Sequence, residues 1–151
     1  HMFVPQDSKE DAFPGVCPFH GNCLEGLASG PAMEKRWGVR RASEIPDNHR
    51  AWELEAQYLG YACANLVMLL SPKRIILGGG VSKNKGLLPL VRARTQKLLN
   101  GYIQHERILE SIDRFIVEPG LGDKSGILGA LCLAERSLNG RKEPVGAPQA
   151  A

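Results

Sequence analysis

Apolar side chains at Leu59, Ala62, Cys63, Leu66, Val67 and Leu70 recur at steps of three and four. That period keeps them on one helical face, so the stretch predicts the longest helix of the chain with this face in the core. Asp47 or Asn48 stands where a side chain can cap its start, and Ser71-Pro72 ends it. Upstream the pattern changes. Residues 1–24 hold Pro5, Pro14, Gly15, Pro18 and Gly21 without an apolar period, and read as an irregular loop that needs something other than a core to hold its shape. Helical spacing begins at Leu24, with Asn22 and Glu25 arranged as a capping box. Gly30-Pro31 interrupts it, and a second short helix is expected over Ala32 to Trp37, stopped at Gly38.

Downstream, Arg74-Ile75-Ile76-Leu77 is a short β-branched strand that runs into Gly78-Gly79-Gly80. A helix over Leu87 to Asn100 follows, with Pro89 in its first turn and Gly101 past its end. A polar stretch, helical near Glu106 to Ser111, leads to a second strand at Phe115-Ile116-Val117 and a turn at Glu118-Pro119-Gly120. A last helix spans about Gly126 to Leu138 and closes at Asn139-Gly140, and residues 140–151 form a flexible tail. Helix, strand, glycine loop, helix, strand, helix is an α/β order. It divides into a loop over 1–24, a lobe over 25–139 and the tail.

Composition narrows the function classes. At 151 residues, with 43% hydrophobic and 23% charged, the chain has the make-up of one soluble domain. Nineteen Lys and Arg against sixteen Asp and Glu leave a net charge of only +3, and the basic residues are scattered, so no nucleic-acid surface is expected. The best apolar run, Ala56 to Leu70, carries Asn65 and is shorter than the roughly 18–20 residues that cross a bilayer, so no membrane span is expected. No secretory leader is evident, and a cytoplasmic location follows as the expectation. Cysteines in such a compartment favour metal binding or burial over disulfides.

The chemistry concentrates in "VCPFHGNCLEG", residues 16–26. Zinc prefers thiolate and imidazole ligands in a tetrahedron, and C-x2-H-x2-C in a proline- and glycine-rich loop offers three of them at Cys17, His20 and Cys23. A fourth is needed, and the only histidine before the loop is His1. The bland alternative makes the two cysteines small hydrophobes and His20 a surface residue. Redox chemistry of the thioredoxin kind needs C-x-x-C, and Cys17 to Cys23 is too wide. A nucleic-acid zinc finger needs a second ligand pair about a dozen residues on, and none follows. His49 and His105 read as solvated residues or caps, and Cys63 and Cys132 as core.

The stretch from His1 through "GVCPFHGNCLEGLASGPAMEKRWG" resembles the zinc loop of the ROK family (repressor, ORF, kinase), above all its bacterial fructokinase branch. His1 falls where the family histidine falls, which favours a native residue over an expression-vector scar. The resemblance implies a structural zinc held by His1, Cys17, His20 and Cys23, and sugar contacts from His1 and Glu25. A carboxylate can accept two hydroxyl hydrogen bonds, and a metal-bound imidazole keeps its second nitrogen for a third. For Glu25 taken alone, a capping role beside Asn22 remains open.

In "PKRIILGGGVS", Pro72 to Ser82, three glycines at a strand end let backbone lie against a flat ring or a phosphate, as a bare strand-to-helix turn also would. No G-K-[ST] follows, so this is not a Walker loop. It resembles the adenosine motif of the actin, hexokinase and heat-shock ATPases. That resemblance implies nucleotide contacts at Gly79, Gly80, Val81, Ser82 and Lys83, with Pro31 on the adenine side. "GLGDKSGILGALCLA", Gly120 to Ala134, is similar to the closing motif of the ROK family. The fold implied is the C-terminal lobe of an actin/hexokinase-like (ribonuclease H-like) ATPase with a zinc-stabilised loop.

Two family motifs have no counterpart: D-x-G-x-[ST] for phosphates and magnesium, and the catalytic aspartate in N-D before the zinc loop. Asp7, Asp11, Asp47, Asp113 and Asp123 lie outside such contexts, so no catalytic residue is assigned. The resemblance implies the C-terminal part of an ATP-dependent sugar kinase, using ATP and Mg2+ to phosphorylate fructose. It implies inactivity without an N-terminal lobe, and a homodimer by analogy. A sugar-responsive transcriptional regulator or sugar-sensing protein on the same fold is the rival reading.

Overall fold

Local signals set the element boundaries in the computed structural model, which describes residues 1–138. The tail expected over 140–151 lies outside the described residues. Two compact units divide at Glu118/Pro119. In the first, α1 is Leu24–Leu27 and α2 is Gly30–Trp37. Helix α2 begins earlier than expected because the Ser29 hydroxyl accepts the Ala32 N–H and Pro31 occupies the first turn, where a missing N–H is harmless. Gly38 ends it in the left-handed region, φ 67°. The capping box expected at Asn22 and Glu25 does not form. Asn22 Nδ2 donates instead to Gln6 Oε1 at 3.0 Å, and the Glu25 carboxylate meets the His1 nitrogen.

Helix α3, Ala51–Leu70, carries the apolar period; Ala62, Cys63 and Val67 are buried as expected, Leu59 and Leu66 are half-buried, and Leu70, expected on the core face, is exposed in the last turn. Its start is not capped by Asp47 or Asn48. His49 Nδ1 accepts the Ala51 N–H at 3.1 Å, while Asp47 accepts from Asn84 at 2.7 Å. Strand β1, Ile75–Ile76, pairs in parallel with β2, Ile116–Val117, in the register Ile75 to Ile116. The parallel connection runs through α4, Leu87–Leu99, then α5, Glu106–Leu109, and α6, Ile112–Phe115. The last turn of α6 takes Phe115 out of the expected second strand. His105 caps α5 by accepting the Arg107 N–H.

Helix α4 packs along α3 and under the strands, with Val91, Leu87 and Leu99 meeting Ala56, Cys63, Val67, Ile75 and Ile116. A Cβ on Gly60 would lie 2.8 Å from Arg94 Cβ, so α3 approaches α4 where a side chain is missing. A smaller apolar cluster of Val4, Leu27, Leu54 and Tyr58 seats the opening loop on α1 and α3. In the second unit, α7 is Ser125–Leu138. None of its residues is buried, so Cys132, expected in the core, is exposed.

One charged group of α3 faces inward. Glu55 is 1% exposed, and burial raises its carboxyl to about 8 against the opposing pull of Arg36. The unfolded chain ionises this group near 4.5. Between those values the folded state holds the extra proton, so stability declines as pH rises from about 4.5 to about 8 and is fully present below that window. Glu55→Gln is expected to flatten that decline, by about 2–4 kcal/mol at pH 9, as read from urea midpoints against pH.

Candidate functional site

The loop is folded around two thiols. Cys17 and Gly21 exchange backbone hydrogen bonds of 3.2 and 2.9 Å, closing Cys17-Pro18-Phe19-His20-Gly21 into a knuckle. Gly21 has φ 63°, a left-handed turn that a side chain would strain. The turn brings the His20 N–H to Cys17 Sγ at 3.4 Å. The opening residues return to α1 through Leu24 N–H donating to the Met2 carbonyl at 2.8 Å, which carries His1 over the knuckle.

His1 Nδ1 then stands 3.6 Å from Cys17 Sγ and 3.6 Å from Cys23 Sγ, and His20 Nδ1 stands 3.8 Å from Cys17 Sγ. One donor atom from each of the four residues lies within 4.8 Å of all the others. A tetrahedral zinc with bonds of about 2.3 Å to sulfur and 2.0–2.1 Å to nitrogen puts neighbouring donors roughly 3.3–3.8 Å apart. The three short separations have that length, so the donor set fits the ion.

The two thiols sit in different surroundings. The His20 backbone N–H brings the Cys17 thiol down to about 7, whereas burial raises that of Cys23. Glu25 is half exposed, with Oε1 2.9 Å from the backbone nitrogen of His1 and Oε2 3.5 Å from Cys23 Sγ. His1 uses Nδ1 toward the sulfurs, which leaves Nε2 as the nitrogen for another partner. Thus His1, Cys17, His20, Cys23 and Glu25, all named from sequence, meet in one place.

Sequence reasoning missed two neighbours. Phe3 is 69% and Phe19 81% exposed; the Phe3 ring meets His20 edge-on at 5.5 Å, and the Phe19 ring meets His1 at 6.2 Å. Solvent-facing aromatic rings at a polar cluster were the available signal.

The glycine loop makes a second location. Gly79 has φ 109°, and a Cβ on Gly79 or Gly80 would meet no atom within 4 Å, so open space lies over the backbone after β1. The Ser82 hydroxyl donates to the Gly79 carbonyl at 2.8 Å and fixes the turn. A Cβ on Gly30 would lie 3.9 Å from Val81 Cγ2, which sets the exposed Pro31 beside the glycine loop. Gly80, Val81 and Lys83 share a cavity of about 180 Å3 with Ile45, Asp47 and Trp52, three residues that the motif did not indicate. The roughly 300–1,000 Å3 usual for a complete small-molecule site is larger, so this cavity has room for part of a ligand.

Both locations now have a context among known proteins. Residues 1–137 match the sequence profile of the ROK family. The chain belongs to the ROK family. It is 43% identical over 138 residues to a Bacillus subtilis (strain 168) protein provisionally named a fructokinase, covering 91% of this chain and 46% of that one. It is 41% identical over 128 residues to a fructokinase of Pediococcus pentosaceus, covering 85% and 43%. The chain thus spans less than half the length of these relatives. Among solved structures, the ROK hexokinase of Thermus thermophilus superimposes with a TM-score of 0.69 at 23% identity, over 93% of this chain and 48% of that one. That likeness shows the fold, and with it the mixed helix and strand class and the hexokinase-like architecture expected from the sequence. No described helix is long and apolar enough to cross a membrane.

Proposed function

We propose that these residues form the C-terminal half of an ATP-dependent sugar kinase whose acceptor is fructose, completed by an N-terminal lobe that supplies the phosphate loop and the catalytic aspartate. Membership of the ROK family and the fructokinase names of its relatives support the reaction class. The observation that carries the reading is the gathering of four zinc donors with the Glu25 carboxylate beside one of them, Cys23 Sγ. His1, Cys17, His20 and Cys23 hold a zinc ion, which supplies structure and fixes the loop. His1 Nε2 and the Glu25 carboxylate then present an acceptor-rich edge to sugar hydroxyls.

Gly79, Gly80, Val81, Ser82 and Lys83 receive the nucleotide, with Pro31 on its adenine side and the cavity at Trp52 and Asp47 taking part of it. Positioning two substrates between closing lobes, with Mg2+ across the phosphates, is the main task in phosphoryl transfer. The chain is accordingly inactive by itself. The active species is cytoplasmic and homodimeric. The regulator alternative has no observation in its favour, since the relatives carry kinase names.

The test compares wild type with Glu25→Gln in the protein that joins both lobes. Losing a charged hydrogen-bond acceptor for hydroxyls is expected to raise the fructose KM about tenfold or more and leave the MgATP KM unchanged. An unchanged fructose KM would remove Glu25 from the sugar site. Fructose phosphorylation by residues 1–151 alone would refute the missing-lobe reading.

A further inference from the structure

A buried polar cluster lies beside the loop and belongs to neither location. We propose that Asp11, Arg36 and Tyr58 are positioning residues for the zinc site, a brace that holds residues 1–24 in their metal-binding form before the ion arrives. This rests on the zinc reading above.

Of residues 1–24 only Val4, Asp11 and Cys23 are buried, and Asp11 alone of them carries a charge. A carboxylate leaves water only where partners replace it. Here they come from both helices and from the loop itself. The Tyr58 hydroxyl of α3 donates to Asp11 Oδ2 at 2.5 Å. Arg36 Nη2 of α2 forms an ion pair with the same oxygen at 3.1 Å, without the alignment of a hydrogen bond. The Phe13 N–H donates to Oδ1 at 3.2 Å. Burial and the Asp11 carboxylate both push the Tyr58 hydroxyl above its usual pKa, so it keeps its proton and stays a donor. Glu55, kept neutral by burial, does not compete for Arg36.

Arg36 also reaches the ligand segment. Its Nη1 donates to the Leu27 carbonyl at 2.9 Å, at the end of the helix that carries Glu25 and follows Cys23. Its guanidinium lies 4.5 Å from the centre of the Phe13 ring, a cation–π contact. From Asp11 the connection continues through Gln6, whose Nε2 donates to the Asp11 and Phe13 carbonyls at 3.0 and 2.7 Å. Gln6 Oε1 accepts from Asn22, the residue before Cys23. None of these contacts uses a side-chain atom of His1, Cys17, His20 or Cys23.

The thermodynamic consequence is direct. When only a fraction of the apo loop is in the binding form, apparent affinity falls by that fraction. The brace keeps that fraction near one by holding the backbone of the ligand segment, through the Leu27 carbonyl and through Gln6 to Asn22.

The experiment measures the zinc dissociation constant of the chain by competition with a chelator of known affinity. It compares wild type with Tyr58→Phe, Asp11→Asn, their combination, and Val91→Ala. Val91 is fully buried between α3 and α4, so its truncation matches a general loss of stability without touching the loop. Far-UV circular dichroism of each apo variant establishes that the helices persist.

We expect Tyr58→Phe and Asp11→Asn each to weaken zinc about tenfold, as when the competent fraction of the apo loop falls to roughly a tenth. The combination should lose less than the product of the two, as residues of one network do, and Val91→Ala should leave affinity unchanged. Unchanged affinity in a folded Tyr58→Phe chain, or an equal loss in Val91→Ala, would overturn the brace. A wild type that takes up no zinc would instead remove the metal reading on which the brace rests.

Discussion

Gly26→Ala is expected to prevent the opening loop from closing. In most helices this change is favourable, because alanine exceeds glycine in helix propensity by about 1 kcal/mol. Here a Cβ would sit 1.8 Å from the Gly21 carbonyl oxygen and 2.9 Å from its carbon, and both are backbone atoms that no rotamer change can move. The same carbonyl accepts the Cys17 N–H that closes the knuckle, and the Gly26 carbonyl accepts the Val16 N–H at 3.0 Å. Relief of the clash therefore opens the turn between Cys17 and Cys23. Overpacking of this kind, against backbone, is expected to outweigh the propensity gain and destabilise by about 3 kcal/mol. Urea unfolding of the apo chain measures it, and wild-type stability in Gly26→Ala would show that the loop does not have this geometry.

Cys23→Ser has the second large expected effect, on the metal rather than on packing. Serine keeps the size of the side chain but supplies no thiolate at neutral pH. Cys23 is the buried one of the four donors, it approaches His1 Nδ1 to 3.6 Å, and its backbone opens α1. Loss of an outer contact to a metal ligand costs up to about 100-fold in affinity, and loss of the ligand itself is expected to exceed that. A 100-fold change removes about 2.7 kcal/mol of the stabilisation that a saturating ion gives the folded state. Two thermal scans, with zinc and with chelator, test this. Wild type should melt higher with zinc, and the rise should be clearly smaller in Cys23→Ser; an equal rise in both would remove Cys23 from the zinc site.

The parts of the molecule that could be read from the sequence are those governed by local rules. The three- and four-residue period of α3, the left-handed glycine after α2 and the strand before Gly78 depend on neighbours in the chain, and each appears where its signal stands. The gathering of two thiols and two imidazoles was legible for a different reason. Cys17, His20 and Cys23 are close in sequence, and the resemblance supplied the distant His1.

What stayed hidden depends on pairings across the chain. Asn22 and Asp47 have the right type and spacing for caps, yet partners at Gln6 and Asn84 claim their side chains. Asp11 is an acid in a polar loop, and nothing local shows that Arg36 and Tyr58, far along the chain, enclose it. Trp52 and Asp47 reach the cavity beside the glycine loop only because α3 and the segment before it fold against it.

The central claim is that a zinc ion joins the start of the chain to the cysteine knuckle and so shapes one wall of a sugar site. X-ray absorption at the zinc edge of the purified protein tests it most directly. The account predicts one zinc per chain, with two sulfur neighbours near 2.3 Å and two nitrogen neighbours near 2.0–2.1 Å, and with one nitrogen lost in His1→Ala. Protein that holds no zinc, or zinc surrounded by oxygen alone, would contradict it.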